Sequence, residues 1–130
     1  MWIETPTDII KRLADGELDM KFKEAYVILV PEIEPASYFL TVDPAKDRSK
    51  IDNDKYTCYT VLVQHQAQAL EECKKLAEQE GVNVITLCPG FSHQNIAQIC
   101  DVVGKNVGIC VARGDNHSSK IISEYISQMK

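Results

Sequence analysis

Three histidines and one cysteine stand where chemistry could be done. His65 follows the apolar run Val61-Leu62-Val63, His93 follows Ile85-Thr86-Leu87-Cys88 after a tight turn, and His117 follows Ile109-Cys110-Val111-Ala112. If those runs are strands of one parallel sheet, all three imidazoles belong to its carboxyl edge, where the loops of an open α/β sheet form the ligand crevice. Three imidazoles with Cys88 or Asp115 beside them would be a donor set for a transition metal. No pair has the i, i+4 spacing of HExxH, however, and strand-end loops collect polar residues with or without a function. Solvated loop histidines are the plain alternative, and no metal ligand is assigned.

The turn Cys88-Pro89-Gly90-Phe91-Ser92-His93 offers two further chemistries. Gly90 allows a ligand close to the backbone, and a helix starting at Ser92 presents free N–H groups to a carboxylate or phosphate. A thiol near that helix start is a candidate nucleophile, with His93 or His117 as its base. Cys88 and His93 are therefore the catalytic candidates, against the plain reading of a packed thiol and a capped turn. The turn matches neither GxxxxGK[ST] nor GxGxxG, and the cofactor is left unspecified. The next rim loop, Arg113-Gly114-Asp115-Asn116-His117, adds a guanidinium suited to bidentate contact with a carboxylate or phosphate. Its alternative is an Arg113–Asp115 surface pair, with Asn116 or Ser118 capping the last helix. The candidate ligand-binding set is Cys88, Gly90, Phe91, Ser92, His93, Arg113, Asp115 and His117, and the candidate ligand is a small anionic molecule.

The elements that must position these residues show in the apolar pattern. A chain of 130 residues, 45% hydrophobic and 25% charged, is sized for one domain with a real core. A net charge of −5 without a Lys/Arg cluster disfavours nucleic acid. No apolar run approaches the roughly 18 residues of a membrane span, and the N-terminus lacks the order of a signal peptide, so no membrane partner and a cytoplasmic address are expected. The five cysteines form no CxxC pair and are read as reduced thiols, Cys73 and Cys100 on apolar helix faces and Cys58 and Cys110 within strands.

Thr5 caps a short helix with Pro6 at its first position and Asp8 in its first turn, ended by Gly16. So short a helix must dock on the domain or on a neighbouring chain, which makes residues 1–19 an appendage and a candidate homo-oligomer contact, and 20–130 a single α/β domain. Residues 25–30 read as a strand buried on both faces. The stretch 31–56 is least legible, with 37–42 a short edge strand and 44–51 a helical turn. Residues 58–63 form the second strand, and 66–80 a helix on the stripe Ala69, Leu70, Cys73, Leu76 and Ala77, stopped by Gly81. Residues 82–87 form the third strand. Ser92 then caps a helix that turns Ile96, Ile99, Cys100 and Val103 inward and closes at Gly104. Residues 107–112 form the fourth strand, and a last helix, 118–129, turns Ile121, Ile122, Tyr125, Ile126 and Met129 inward.

Alternating strands and helices with short links are the signature of right-handed crossovers. The expected fold is α/β, three-layered, with a mostly parallel sheet of about four strands, flavodoxin-like or Rossmann-like, plus an extra N-terminal helix.

From Met20 onward the residues reach a resemblance. MKFKEAYVILVPE, Asp43-Pro44-Ala45-Lys46-Asp47-Arg48, TVLV, EQEGVNVITLCPGF and the Arg113-x-Asp115 pair are similar to a family of small prokaryotic α/β proteins known only as a domain of unknown function, over roughly residues 20–117. The resemblance implies the fold, and it puts Leu87-Cys88-x-Gly90-Phe91 and Arg113-x-Asp115 on one rim. It also gives Arg48 a role, and it names no activity. The chain departs from the family at Pro89, where a Gly is usual, and at Asp47, where a His is usual. The stretch 33–42 is additional, and an amphipathic helix replaces a glycine-rich loop after Asp115. Two functions follow from these readings. One is a small-molecule binder, or a cysteine- or metal-dependent enzyme, working at this rim. The other is a non-catalytic module assembling through residues 1–19 and the apolar insert Tyr38-Phe39-Leu40.

Overall fold

The structure, a computed structural model, describes residues 5–16, 21–30, 41–112 and 116–128. In chain order they form α1 (Pro6–Ala14), β1 (Phe22–Leu29), β2 (Arg48–Asp52), β3 (Tyr56–Val63) and α2 (Gln66–Lys75), which runs on into a π-helical turn (Leu76–Glu80). Then come β4 (Val84–Leu87), α3 (His93–Val103), β5 (Gly108–Val111) and α4 (Asn116–Gln128).

Among the described residues the sheet has five strands, one more than expected, in the order β2-β3-β1-β4-β5. β1, β3, β4 and β5 are parallel, and β2 lies antiparallel beside β3. The added strand comes from the segment read as a helical turn. The Asp43 carbonyl accepts the N–H groups of Lys46 and Asp47 at 2.9 and 2.7 Å, and the Asp47 carboxylate accepts the Asp43 N–H at 2.7 Å. The turn is thus closed by its own acidic residues, and the chain leaves it extended. Arg48, Lys50 and Asp52 alternate with Ser49 and Ile51 along β2, a period of two in charge that an edge strand tolerates. The expected strand at 37–42 falls mainly outside the described residues, as does the insert Tyr38-Phe39-Leu40.

The crossover β3–α2–β4 passes over β1, and β4–α3–β5 continues in the same direction, so α2 and α3 share one face of the sheet. There Gln66 Nε2 donates to the Asn95 carbonyl at 3.0 Å. Ala25, Val27, Tyr59, Val61, Val63, Ile85 and Leu87 from the strands pack on Ala69, Cys73, Leu76, Ile99 and Val103 from the helical side. Each large aliphatic side chain so buried contributes roughly 1.5–3 kcal/mol. Cys100, expected inward, is exposed, because it lies about 100° round the helix from Ile99.

The helix boundaries between α2 and β5 have local causes. Gly81 is left-handed at φ 68°, and its N–H and that of Val82 close on the Leu76 carbonyl, which ends the π turn. Ser92 caps α3, and Gly104 ends it at φ 85°. In α1 the Asp8 N–H donates to Thr5 Oγ1 at 3.2 Å while the Thr5 N–H donates to the Asp8 carboxylate at 2.9 Å. The Thr5 N–H and the Thr5 hydroxyl, both donated to the carboxylate, hold the Asp8 carboxyl below its usual range.

Two expectations are corrected on the opposite face. β1 is not buried on both sides: Ala25 and Val27 are fully buried, but Tyr26 is 40% and Ile28 37% exposed. A continuous apolar run cannot distinguish a strand covered twice from one with an apolar open face. Nor does α4 complete a third layer, since Ile121, Ile122 and Tyr125 are exposed rather than inward and α4 packs extensively on no other described element. Helical periodicity identifies a stripe and says nothing about its partner. Met129 and the side chain of Ile126 lie outside the described residues. No helix among the described residues is long and apolar enough to cross a membrane.

Candidate functional site

The carboxyl edge holds some of the expected residues, mostly in structural roles. His65 is the N-cap of α2, its Nδ1 accepting the Gln68 N–H at 3.3 Å. Ser92 does the same for α3, its Oγ accepting the Asn95 N–H at 3.1 Å. His93 is the first residue of α3 and is exposed. Two helix starts therefore stand side by side, bridged by Gln66, and each is capped from its own chain. β1 separates β3 from β4, which at the usual strand spacing puts the ends preceding His65 and His93 about 10 Å apart. Among the described residues no three His, Cys, Asp or Glu side chains are grouped as a metal site would need. Arg113 and Asp115 lie outside the described residues. His117 falls in the first turn of α4, and its side chain is outside them too.

Phe91 is buried and joins the core cluster beneath the turn. Gly90 is exposed and its φ is not left-handed. A Cβ at Gly90 would meet Cys88 Sγ at 3.5 Å and Leu29 at 3.6 Å, both ordinary contacts. Cys88 is half-buried, and its Sγ accepts the Leu29 N–H at 3.2 Å while its own N–H donates to the Val27 carbonyl at 3.2 Å. The thiol therefore extends the β1–β4 pairing past the last paired strand residues.

These environments predict an order of alkylation. Exposed Cys100 should react first with iodoacetamide near neutral pH, and Cys73 last, because burial pushes its thiol up to about 12. Mass-spectrometric mapping of the labelled peptides checks this. Cys88 leading the series would instead mark it as an activated nucleophile.

A feature the sequence did not single out lies at the same edge. A cavity of about 190 Å³ is lined by Tyr26, Val27 and Ile28 of β1, Thr86 and Leu87 of β4, Cys88, and Ala112 just past β5. Its position follows from topology. From β1 the chain goes to β2 and β3 on one side, whereas from β4 it goes through α3 to β5 on the other. The segments that leave the paired carboxyl ends of β1 and β4 therefore run to opposite sides, and a crevice at such a switch point is where open α/β sheets bind ligands. The lining is almost wholly apolar, with Thr86 and the Tyr26 phenol as its hydroxyls.

Below this cavity on the open face sits a buried polar pair. Glu24, only 2% exposed, accepts the Tyr56 hydroxyl through Oε1, while its Oε2 is buried without a partner among the described residues. Burial, reinforced by the Glu24 carboxylate, raises the phenols of both Tyr56 and Tyr26 above the usual tyrosine range. A charge immediately before the apolar run of β1, at the same parity as Tyr26 and Ile28, was the available signal. Arg48 lies elsewhere: its guanidinium is 3.4 Å from the buried Glu72 carboxylate, on the face that carries α2.

Residues 22–127 match DUF6506, described as a family of unknown function. The match takes in most of the chain, and the chain belongs to this family. It begins at the first residue of β1 and extends into α4, so the last helix lies within the matched residues and α1 outside them. No curated protein matches the chain.

Proposed function

We propose that this member of the DUF6506 family binds a small molecule whose apolar part, about the size of one aromatic ring, enters the cavity between the carboxyl ends of β1 and β4. The observation that carries the reading is an apolar cavity at the switch point of a parallel sheet. Its volume, about 190 Å³, exceeds the roughly 150 Å³ in which an apolar protein cavity holds benzene. It falls below the roughly 300 Å³ at which sites for whole ligands begin. A ligand would therefore leave a polar end outside the cavity at the carboxyl edge, where the start of α3 favours an anion.

Toluene, benzoate and benzylamine separate the body of the ligand from its charge. Benzoate at ten times its dissociation constant should stabilise the fold by about 1.4 kcal/mol, a rise of a few degrees in Tm, with benzylamine giving less. No shift with any of the three at tens of times a millimolar-range constant would sink the reading.

A second reading, assembly with another copy of the chain, has one observation in its favour. α4 exposes Ile121, Ile122 and Tyr125 while the open sheet face exposes Tyr26, Ile28 and Ile51, apolar surfaces of the kind that mark contact sites. Light scattering at NMR concentration tests it: a dimer made monomeric by Ile121→Lys with Ile122→Lys supports assembly, and a monomeric wild-type chain refutes it.

A further inference from the structure

Beside the edge strand, on the face that carries α2, lies a second cavity of about 310 Å³, lined by Arg48, Ser49, Lys50, Tyr59 and Glu80. Its character is opposite to that of the rim cavity. Arg48 and Lys50 pair in register with Val61 and Tyr59, so both project to the helix side. Lys50 Nζ stands 5.5 Å from the centre of the Tyr59 ring. From the other direction Glu80 Oε2 accepts the Tyr59 hydroxyl at 2.9 Å. That phenol is pushed up to about 12 by burial and by Glu80, so it keeps its proton and remains the donor.

Glu80 reaches Tyr59 from the end of the π turn. Such a turn takes up about one residue, some 100° of arc, relative to an α-helix, and π turns are frequent at functional sites. Lys50 and Glu80 thus carry opposite charges and both abut one phenol, yet among the described residues they form no ion pair with each other, and Lys50, whose charge acts on the Asp52 carboxylate through space, has no carboxylate at ion-pair distance. Arg48 is held by Glu72 at 3.4 Å through one nitrogen, which leaves further guanidinium N–H groups for another acceptor.

We propose that this cavity binds a free α-amino acid, its carboxylate on Lys50 and Arg48 and its ammonium on Glu80. The two charges of an amino acid are separated by a single carbon, which suits opposite charges held over the face and at the hydroxyl of one ring. The arrangement does not depend on the apolar rim cavity. The plain alternative is that Arg48 and Lys50 only guard an edge strand against pairing with other chains.

Titration of ¹⁵N-labelled full-length chain with L-alanine, propionate and ethylammonium decides between them. Alanine should give saturable shifts at the amides of Lys50, Tyr59 and Glu80, with propionate and ethylammonium each at least about tenfold weaker. Glu80→Gln keeps an acceptor for the Tyr59 hydroxyl and should bring alanine down to the level of propionate. Lys50→Met, on an exposed strand, should bring it down to the level of ethylammonium. Non-saturating shifts, propionate equal to alanine, or unchanged alanine binding in Glu80→Gln would overturn the proposal. The wild-type series is decisive even if a variant fails to fold.

Discussion

Ala112→Phe is expected to weaken benzoate binding by about tenfold or more while leaving the free protein within about 0.5 kcal/mol of wild type. Ala112 lines the rim cavity yet is itself exposed, and its backbone is fixed by an N–H to the Leu87 carbonyl at 2.8 Å. A phenyl ring grown from that position occupies the space meant for the ligand's apolar part. It enters from the mouth, so no buried side chain has to move and no polar group is newly desolvated. The same substitution would cost 1–3 kcal/mol in a well-packed core, so the unchanged stability separates blocking of a cavity from damage to the fold. Calorimetric titration of both proteins with benzoate gives the ratio. Equal affinities would mean that benzoate binds elsewhere.

Tyr56→Phe should have the largest effect on stability, about 1.5–3 kcal/mol. The hydroxyl it removes donates to Glu24, whose other carboxylate oxygen already lacks a partner among the described residues at a buried position on the open face of the sheet. The ring itself stays, with its stacking on Phe22 at 6.2 Å between centroids, so the loss is that of the hydrogen bond and not of packing. For a chain of this length the Tm should fall on the order of 5–10 °C. Replacing both partners, Glu24→Leu with Tyr56→Phe, should recover most of the loss, since a matched apolar pair leaves no stranded carboxylate. Denaturant midpoints of the four proteins in the cycle check the coupling. Additive effects of the two substitutions would show that the pair does not act as a unit.

The α/β alternation was legible because the helices between β3 and β5 carry their own punctuation: a left-handed Gly81, a Ser92 cap, a Gly104 at positive φ. β2 was hidden because the period of an edge strand is written in charge, Arg48 to Asp52, and not in apolar residues. The exposure of Tyr26 and Ile28, and of the α4 stripe, was hidden for a different reason. Which face of an amphipathic element is covered depends on neighbours that local sequence does not name.

The site divides in the same way. That the strand ends after Val63 and Leu87 share one edge could be read from the alternation alone. That β1 lies between β3 and β4, and that Ala112 reaches the crevice beside Tyr26, Ile28 and Thr86, depends on strand order set by pairing across more than fifty residues. Gly90 drew attention as a backbone device, yet its φ needs no glycine. Phe91, expected to contact a ligand, is part of the buried core. His65 was read for its imidazole, and the signal that it caps a helix, an acceptor one residue before a helical stripe, was present in the same stretch.

The most direct test of the rim cavity is a methyl NOE measurement on ¹³C-labelled wild-type chain saturated with benzoate. Cross-peaks from the aromatic protons to the methyl groups of Ile28, Thr86 and Ala112 are predicted. Cross-peaks only to methyls elsewhere, or none at saturation, would contradict the account.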